Sequence, residues 1–271
     1  MLLSEDCKTR IQEVVKDILV SRLKKFPSDS SDNRNAPFHD AFLSAFRAQL
    51  SAANIDTPYL VALASWMHGL NGSLGSGFEN IAHILSNGYK RKFTGQFTLK
   101  VSTVQAANIN NIIVGLKSGN RSPNLDDEDN LIMSQISAND TLEEALPFTA
   151  DNYVETDGLI EAIELKSVRP NSGEGRGEKQ KILYGKAALK RLHPDKQVKF
   201  YIGFPFDPTS RTATGYDKER FVNHLVEFKK FFSPDEILIA SELWDHLSGQ
   251  SNTMEQILEV VTETVNLFCS S

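Results

Sequence analysis

With 271 residues, 40% of them hydrophobic and 24% charged, the chain can bury a full core and is too apolar for a disordered or low-complexity polymer. A net charge of −6 argues against a uniformly basic nucleic-acid binder, yet the charges are segregated. Acids gather at Asp126 to Asp129 and at Glu143 and Glu144, whereas cations thicken at Lys90 to Lys92 and from Arg169 to Arg191, so a basic face can coexist with an acidic remainder.

Residues 4 to 25 carry Ile11, Val14, Val15, Ile18 and Leu19 at helical spacing and predict an opening amphipathic helix. Pro27 to Asn35 reads as loop. Phe38, Phe42, Phe46 and Leu50 then predict a second helix. Tyr59 to Met67 reads as a buried helix, His68 to Gly77 as a glycine-rich turn, and Phe78 to Leu85 as a further helix carrying Glu79 and ending at Gly88. Lys92 to Val101 alternates like a strand, Val104 to Leu116 returns to helix, and Ser118 to Asp129 reads as loop.

Asn152 to Glu155 and Leu159 to Ser167 read as strands joined by Thr156-Asp157-Gly158. Asp-Gly between two such runs is a hairpin signal, because glycine accepts the positive φ of the turn. Pro170 to Gly177 reads as loop, Glu178 to Leu192 as helix, and Val198 to Phe204 as a buried strand. A helix over Asp217 to Phe232, a strand over Ile237 to Ala240 and helices over Glu242 to Leu247 and Met254 to Phe268 complete the chain. The expected class is α/β or α+β, a mixed sheet flanked by helices, with the hairpin antiparallel and the strand after the crossover helix parallel.

No apolar run approaches the roughly 18 residues of a membrane span, and Glu5 and Asp6 stand where a secretory leader would be basic. A cytoplasmic protein with no membrane partner is expected. Cys7 and Cys269 lack metal-spaced partners and are expected to be free thiols.

The chemistry concentrates in the hairpin. Glu164 and Lys166 lie two apart on a strand and project from one face. Asp151, on the preceding arm, can be brought beside Glu164 by antiparallel pairing. Such a trio suits phosphodiester hydrolysis, in which a hard cation neutralises the phosphate and activates water. Asp151, Glu164 and the Leu165 carbonyl would hold Mg²⁺, and Lys166 would orient or deprotonate the water and stabilise negative charge. Two other acid-x-lysine triplets, Asp6-Cys7-Lys8 and Glu227-Phe228-Lys229, fall on predicted helices, where residues two apart diverge. Asp157 rivals Asp151, but its place in the turn accounts for it. Glu161 has the opposite parity to Glu164, which argues against a metal role.

Glu79 either reaches the metal from the earlier helix or pairs with a lysine. Lys179 and Gln180, with Tyr184 on the same helix and Lys186 beyond, and Arg169, Asn171 and Arg176 in the loop past Lys166, are candidate DNA contacts. A solvated helix and loop are the alternatives. Lys90-Arg91-Lys92 reads as a DNA-backbone contact or as solvated surface.

Ser73-Leu74-Gly75, Phe78-Glu79-Asn80-Ile81-Ala82, Ala150 to Glu155, the Glu164-Leu165-Lys166-Ser167-Val168-Arg169-Pro170-Asn171 run, Phe204 to Pro208 and Trp244-Asp245 together resemble the TdeIII family of type II restriction endonucleases. The resemblance runs from about Phe38 to the C-terminus and is densest in the middle. It implies a restriction-endonuclease-like PD-(D/E)XK core and Mg²⁺-dependent cleavage of double-stranded DNA at a short, GGNCC-like site, leaving 5′-phosphate and 3′-hydroxyl ends. It also implies a prokaryotic cytoplasmic setting with a cognate DNA methyltransferase. The family pattern opens the strand before Glu-x-Lys with an Asp, which favours Asp151; Ala150 replaces the proline that commonly precedes it. On this reading 1–271 is one domain, with a helical N-terminal part (1–70), a nuclease core (71–248) and a C-terminal helix (249–271). A palindromic site and one cutting centre per chain predict a homodimer. A repair or recombination nuclease on the same core, and a DNA-binding protein with a dead centre, are the alternatives.

Overall fold

A computed structural model of the chain describes residues 2–28, 36–133, 137, 139–166, 172–225 and 228–270. The chain divides into two compact units, Met1–Cys7 with Phe78–Leu258, and Lys8–Gly77 with Glu259–Ser271.

Helix α1 (Glu5–Leu23) is the expected amphipathic helix, with Ile11 and Val15 buried. The single helix expected over Phe38 to Leu50 is instead α2 (Pro37–Leu43) and α3 (Arg47–Ala52), separated by a 3-10 turn at Ser44–Phe46. Residues four apart advance by about 40° round a helix at each step, so a run of this spacing spirals off any one face. Phe38 and Phe42 are accordingly exposed.

Helix α4 (Thr57–Ser86) runs through His68 to Gly77, in place of the expected turn. None of Gly69, Gly72, Gly75 or Gly77 adopts positive φ. A Cβ on Gly77 would stand 2.7 Å from Ile18 Cδ1, so that glycine serves close helix packing rather than a turn. Over Tyr59 to Met67, expected to be buried, only Ala62 is.

The strand expected over Lys92 to Val101 splits into β1 (Tyr89–Phe93) and β2 (Lys100–Ser102), because the chain turns at Gly95, φ +59°. A capping box between Ser102 and Gln105 starts α5 (Thr103–Ser118), which ends at left-handed Gly119. The loop expected over Ser118 to Asp129 contains the start of α6 (Leu125–Met133). Asn124 Oδ1 accepts the Asp127 N–H at 2.9 Å, and the acids Asp126, Asp127 and Glu128 complement the positive end of the helix dipole.

Strand β3 (Leu142–Glu144) pairs with β2. The expected hairpin comes next, as β4 (Phe148–Glu155) and β5 (Leu159–Leu165). Helix α7 (Ser172–Leu192) starts earlier than the Glu178 expected, through glycines read as loop. A Cβ on Gly175 would meet the Phe228 ring at 3.2 Å, so glycine there lets the ring pack against the helix. After β6 (Gln197–Phe204), the helix expected over Asp217 to Phe232 stops as α8 (Lys218–His224), where Leu225 turns to ψ 65°. A 3-10 turn at Phe228–Lys230 then brings Phe228 against Phe204 and Phe232. The chain closes with β7 (Ile237–Ile239), α9 (Ser241–Ser248) and α10 (Thr253–Ser270).

The main sheet has the order β1-β4-β5-β6-β7. Pairings through β5 are antiparallel and those beyond it parallel, which is the mixed sheet flanked by helices that the sequence predicts. Phe200, beside Ala162 in the register, packs under α7, where a Cβ on Gly185 would stand 2.9 Å from its ring. On the other face Gly203 meets Leu243 of α9, and Glu161 reaches His246 at 2.9 Å. Alternation along β5 therefore sends Glu164 to the α7 side and Glu161 to the α9 side.

Candidate active site

Asn152 pairs with Ile163, so Asp151 stands one step further along, across from Glu164. Asp151 Oδ2 accepts the Leu165 N–H at 3.1 Å, which fastens the carboxylate to the end of β5. Its other oxygen lies 3.0 Å from Lys90 Nζ, and the same ammonium lies 2.8 Å from Glu79 Oε2. Across the pair, Lys166 Nζ bridges Glu164 Oε1 at 3.0 Å and Glu178 Oε1 at 3.1 Å. The last turns of α4 fix β4 from outside, through His83 Nε2 on the Asp151 carbonyl at 2.6 Å and Ser86 Oγ on Asn152 Oδ1 at 2.9 Å.

The electrostatics arise from this crowding. Burial, and then the neighbouring Asp151 carboxylate, push Glu164 up to about 7 against the pull of Lys166. Burial alone would lower Lys166, but Glu164 and Glu178 outweigh it and hold the ammonium well above the usual lysine range. Lys90, likewise lowered by burial, is raised to about 12 by Glu79 and Asp151.

Oxygen donors this close, one of them resisting ionisation, fit a hard divalent cation, whose charge would relieve their repulsion. Among the described residues no three acidic, imidazole or thiol groups converge tightly enough to hold a metal alone. The residues that would hold a metal here are therefore two carboxylates, Asp151 and Glu164, with the Leu165 carbonyl. Glu79, read as either a metal ligand or a lysine partner, takes Lys90 as its partner. Asp157 lies exposed in the turn before β5.

Other expectations change as well. Lys179, a candidate DNA contact from its sequence position, has a side chain that is 0% exposed, with Glu128 and Glu236 each 2.5 Å from its ammonium. Lys186 is buried too, against Asp129. Positions seven apart share a helix face, and this face of α7 points inward. Arg176 belongs to α7 rather than to a loop and is exposed, and Gln180 is half-buried. Arg169 and Asn171 lie outside the described residues. Nor is the Lys90 to Lys92 run plain solvated surface: Lys90 ties Glu79 to Asp151, and Arg91 pairs with Glu155 and lies over the Tyr153 ring at 4.5 Å. Sequence reasoning missed Lys90 and Glu178 as parts of the cluster, because both arrive through pairings distant along the chain. The acidic Glu178, one helix after an acid-x-lysine strand, was the one visible signal.

A mixed sheet carrying a carboxylate pair beside a lysine at the end of its central strand defines the class of protein: a restriction-endonuclease-like nuclease. A family model described as type II restriction endonuclease, HinfI, matches residues 3–265. The type II restriction enzyme MjaII of Methanocaldococcus jannaschii is 46% identical over 266 residues, covering 96% of this chain and 71% of that protein. The chain belongs to the HinfI family of type II restriction endonucleases, enzymes that act on double-stranded DNA and generally use divalent metal ions. The TdeIII resemblance read from the motifs falls in the same class, and this match does not show that narrower kinship. No helix of the described residues is long and apolar enough to cross a membrane.

Proposed function

We propose that the chain hydrolyses double-stranded DNA at a short specific site with Mg²⁺, leaving 5′-phosphate and 3′-hydroxyl ends. The observation that carries the reading is the meeting of Asp151, Glu164 and Lys166 at the end of the hairpin. Asp151 and Glu164, with the Leu165 carbonyl, would hold the metal. When bound, Mg²⁺ supplies a Lewis-acidic centre for the phosphate and the attacking water.

The chain's own residues do the rest. Held protonated by Glu164 and Glu178, Lys166 donates to the developing charge on the scissile phosphate and orients the water. Of the two roles considered for this lysine, deprotonating the water is the less suited, since its proton is held firmly. The Leu165 N–H keeps Asp151 from swinging away from Glu164.

The nuclease core is assigned to 71–248, the active form to a homodimer, and host protection to a cognate methyltransferase. On the TdeIII resemblance the target is GGNCC-like. Incubating the purified protein with phage DNA and Mg²⁺ and sequencing the ends tests the reading. Discrete fragments with one recurring sequence at their 5′-phosphorylated ends are expected; random ends or intact DNA contradict it.

A further inference from the structure

The segment that leaves β6 is a second place where the fold has invested. β5, β6 and β7 run parallel, so their carboxyl ends lie along one edge of the sheet. Leu165 pairs with Gly203, and the Lys166 N–H donates to the Gly203 carbonyl at 2.9 Å. Phe204 therefore leaves the sheet about 5 Å to the side of the strand that carries Glu164 and Lys166. Open sheets with parallel strands bind ligands beyond these carboxyl ends.

Beyond Phe204 the chain forms a polar loop stapled by one buried acid. The Asp207 side chain is fully buried and accepts from the Thr209 N–H at 2.8 Å, the Thr209 hydroxyl at 2.6 Å, the Asp217 N–H at 3.1 Å and Arg220 at 3.3 Å. One carboxylate thus closes both ends of the loop, and these partners hold its pKa below the ordinary aspartate range against the burial that would raise it. A third tie, Ser241 Oγ to the Thr214 carbonyl at 2.6 Å, anchors the far side to the start of α9. Burying a carboxylate is costly unless its oxygens are satisfied, so the arrangement fixes a shape.

The fixed shape presents little that packs. Arg211 and Thr212 are exposed in the middle of the loop, and Tyr216 is exposed beside its Asp217 end. The Arg211 side chain has no ion-pair or hydrogen-bond partner among the described residues, a state it shares with Arg10, Arg47 and Arg176, whereas Arg91, Arg121, Arg191 and Arg220 are paired. Of these unpaired arginines, Arg211 alone lies on the loop that follows β6. A loop tied at both ends, leaving the strand that pairs with the one bearing Glu164 and Lys166, and carrying an unpaired guanidinium, hydroxyls and a phenol, has the chemistry of a DNA contact.

We propose that the loop from Phe206 to Asp217 is a DNA-contact element of this enzyme, with Arg211 as its principal contact to the duplex beside the cut. The inference rests on the nuclease reading. The test is fluorescence anisotropy with Ca²⁺ in place of Mg²⁺, using a labelled duplex that carries the sequence recovered at wild-type ends. Arg211→Ala is compared with wild type and with Lys117→Ala, which removes an exposed cation from α5. Arg211→Ala is expected to weaken binding by about ten-fold or more, to leave the melting temperature unchanged, and to be partly rescued by Arg211→Lys. Lys117→Ala should bind like wild type. Wild-type cleavage together with unaltered Arg211→Ala affinity overturns this inference alone, as does an equal loss in Lys117→Ala. Absence of both cutting and binding in the wild type overturns the nuclease reading, and this inference with it.

Discussion

Glu164 is the residue at which the site's electrostatics can be read directly. Its carboxyl, pushed up to about 7 by burial and by Asp151, ionises late in the folded protein and near 4.5 in the unfolded chain. Between those values the folded state retains a proton that the unfolded state has released, so raising pH across this window lowers the stability of the metal-free protein. Thermal melts from pH 4.5 to 7 should show that decline, and it should become shallower in Glu164→Gln, the share due to the likewise raised Glu128 and Asp129 remaining; an identical slope in the variant contradicts the assignment. For the same reason Mg²⁺ should bind more tightly as pH rises through about 7, because the proton must leave first. Glu178 acts one step back, through Lys166. Glu178→Gln is expected to slow cleavage by about ten-fold while leaving duplex affinity near wild type, measured under single turnover. A loss confined to affinity would place Glu178 outside the chemistry.

Elements carry the site because each is pinned by contacts distant in sequence. The hairpin was legible: Asp157-Gly158 marks the turn, and the parity of Glu164 and Lys166 against Glu161 gives the face. The crossover and the parallel β6 were legible too, from helix-length periodicity between two apolar runs. The Gly69 to Gly77 stretch misled because glycine composition is the same whether a turn needs positive φ or a helix needs a bare face. The interior of α7 misled for a related reason. Lys179 and Lys186 look like a solvated cationic face until α6 and the turn before β7 bring Glu128, Asp129 and Glu236 to them. The buried Lys179 should therefore tolerate no unpaired partner. Lys179→Ala leaves two acids facing each other and is expected to destabilise the fold by about 3–5 kcal/mol in urea unfolding. A change under about 1 kcal/mol contradicts the account of α7.

At the scale of the molecule, the charge of −6 coexists with a family that acts on DNA, so attraction must be local rather than global. Binding is therefore expected to weaken with salt less steeply than for basic DNA binders, a slope readable from anisotropy at several salt concentrations. On the proposed function one centre per chain would cut one strand, so a homodimer on DNA is expected, with a mass near twice 30.2 kDa plus the duplex by light scattering. Double-strand cleavage by a persistent monomer would contradict that assembly.

The central claim is that Asp151, Glu164 and Lys166 together perform metal-dependent hydrolysis. It is tested most directly by single-turnover cleavage of a site-bearing duplex by wild type, Asp151→Asn, Glu164→Gln and Lys166→Ala. All three variants must first bind that duplex in Ca²⁺. The account predicts Mg²⁺-dependent cutting by wild type and losses of about 10²-fold or more in every variant. A variant that binds and cuts at the wild-type rate would show that the catalytic centre lies elsewhere.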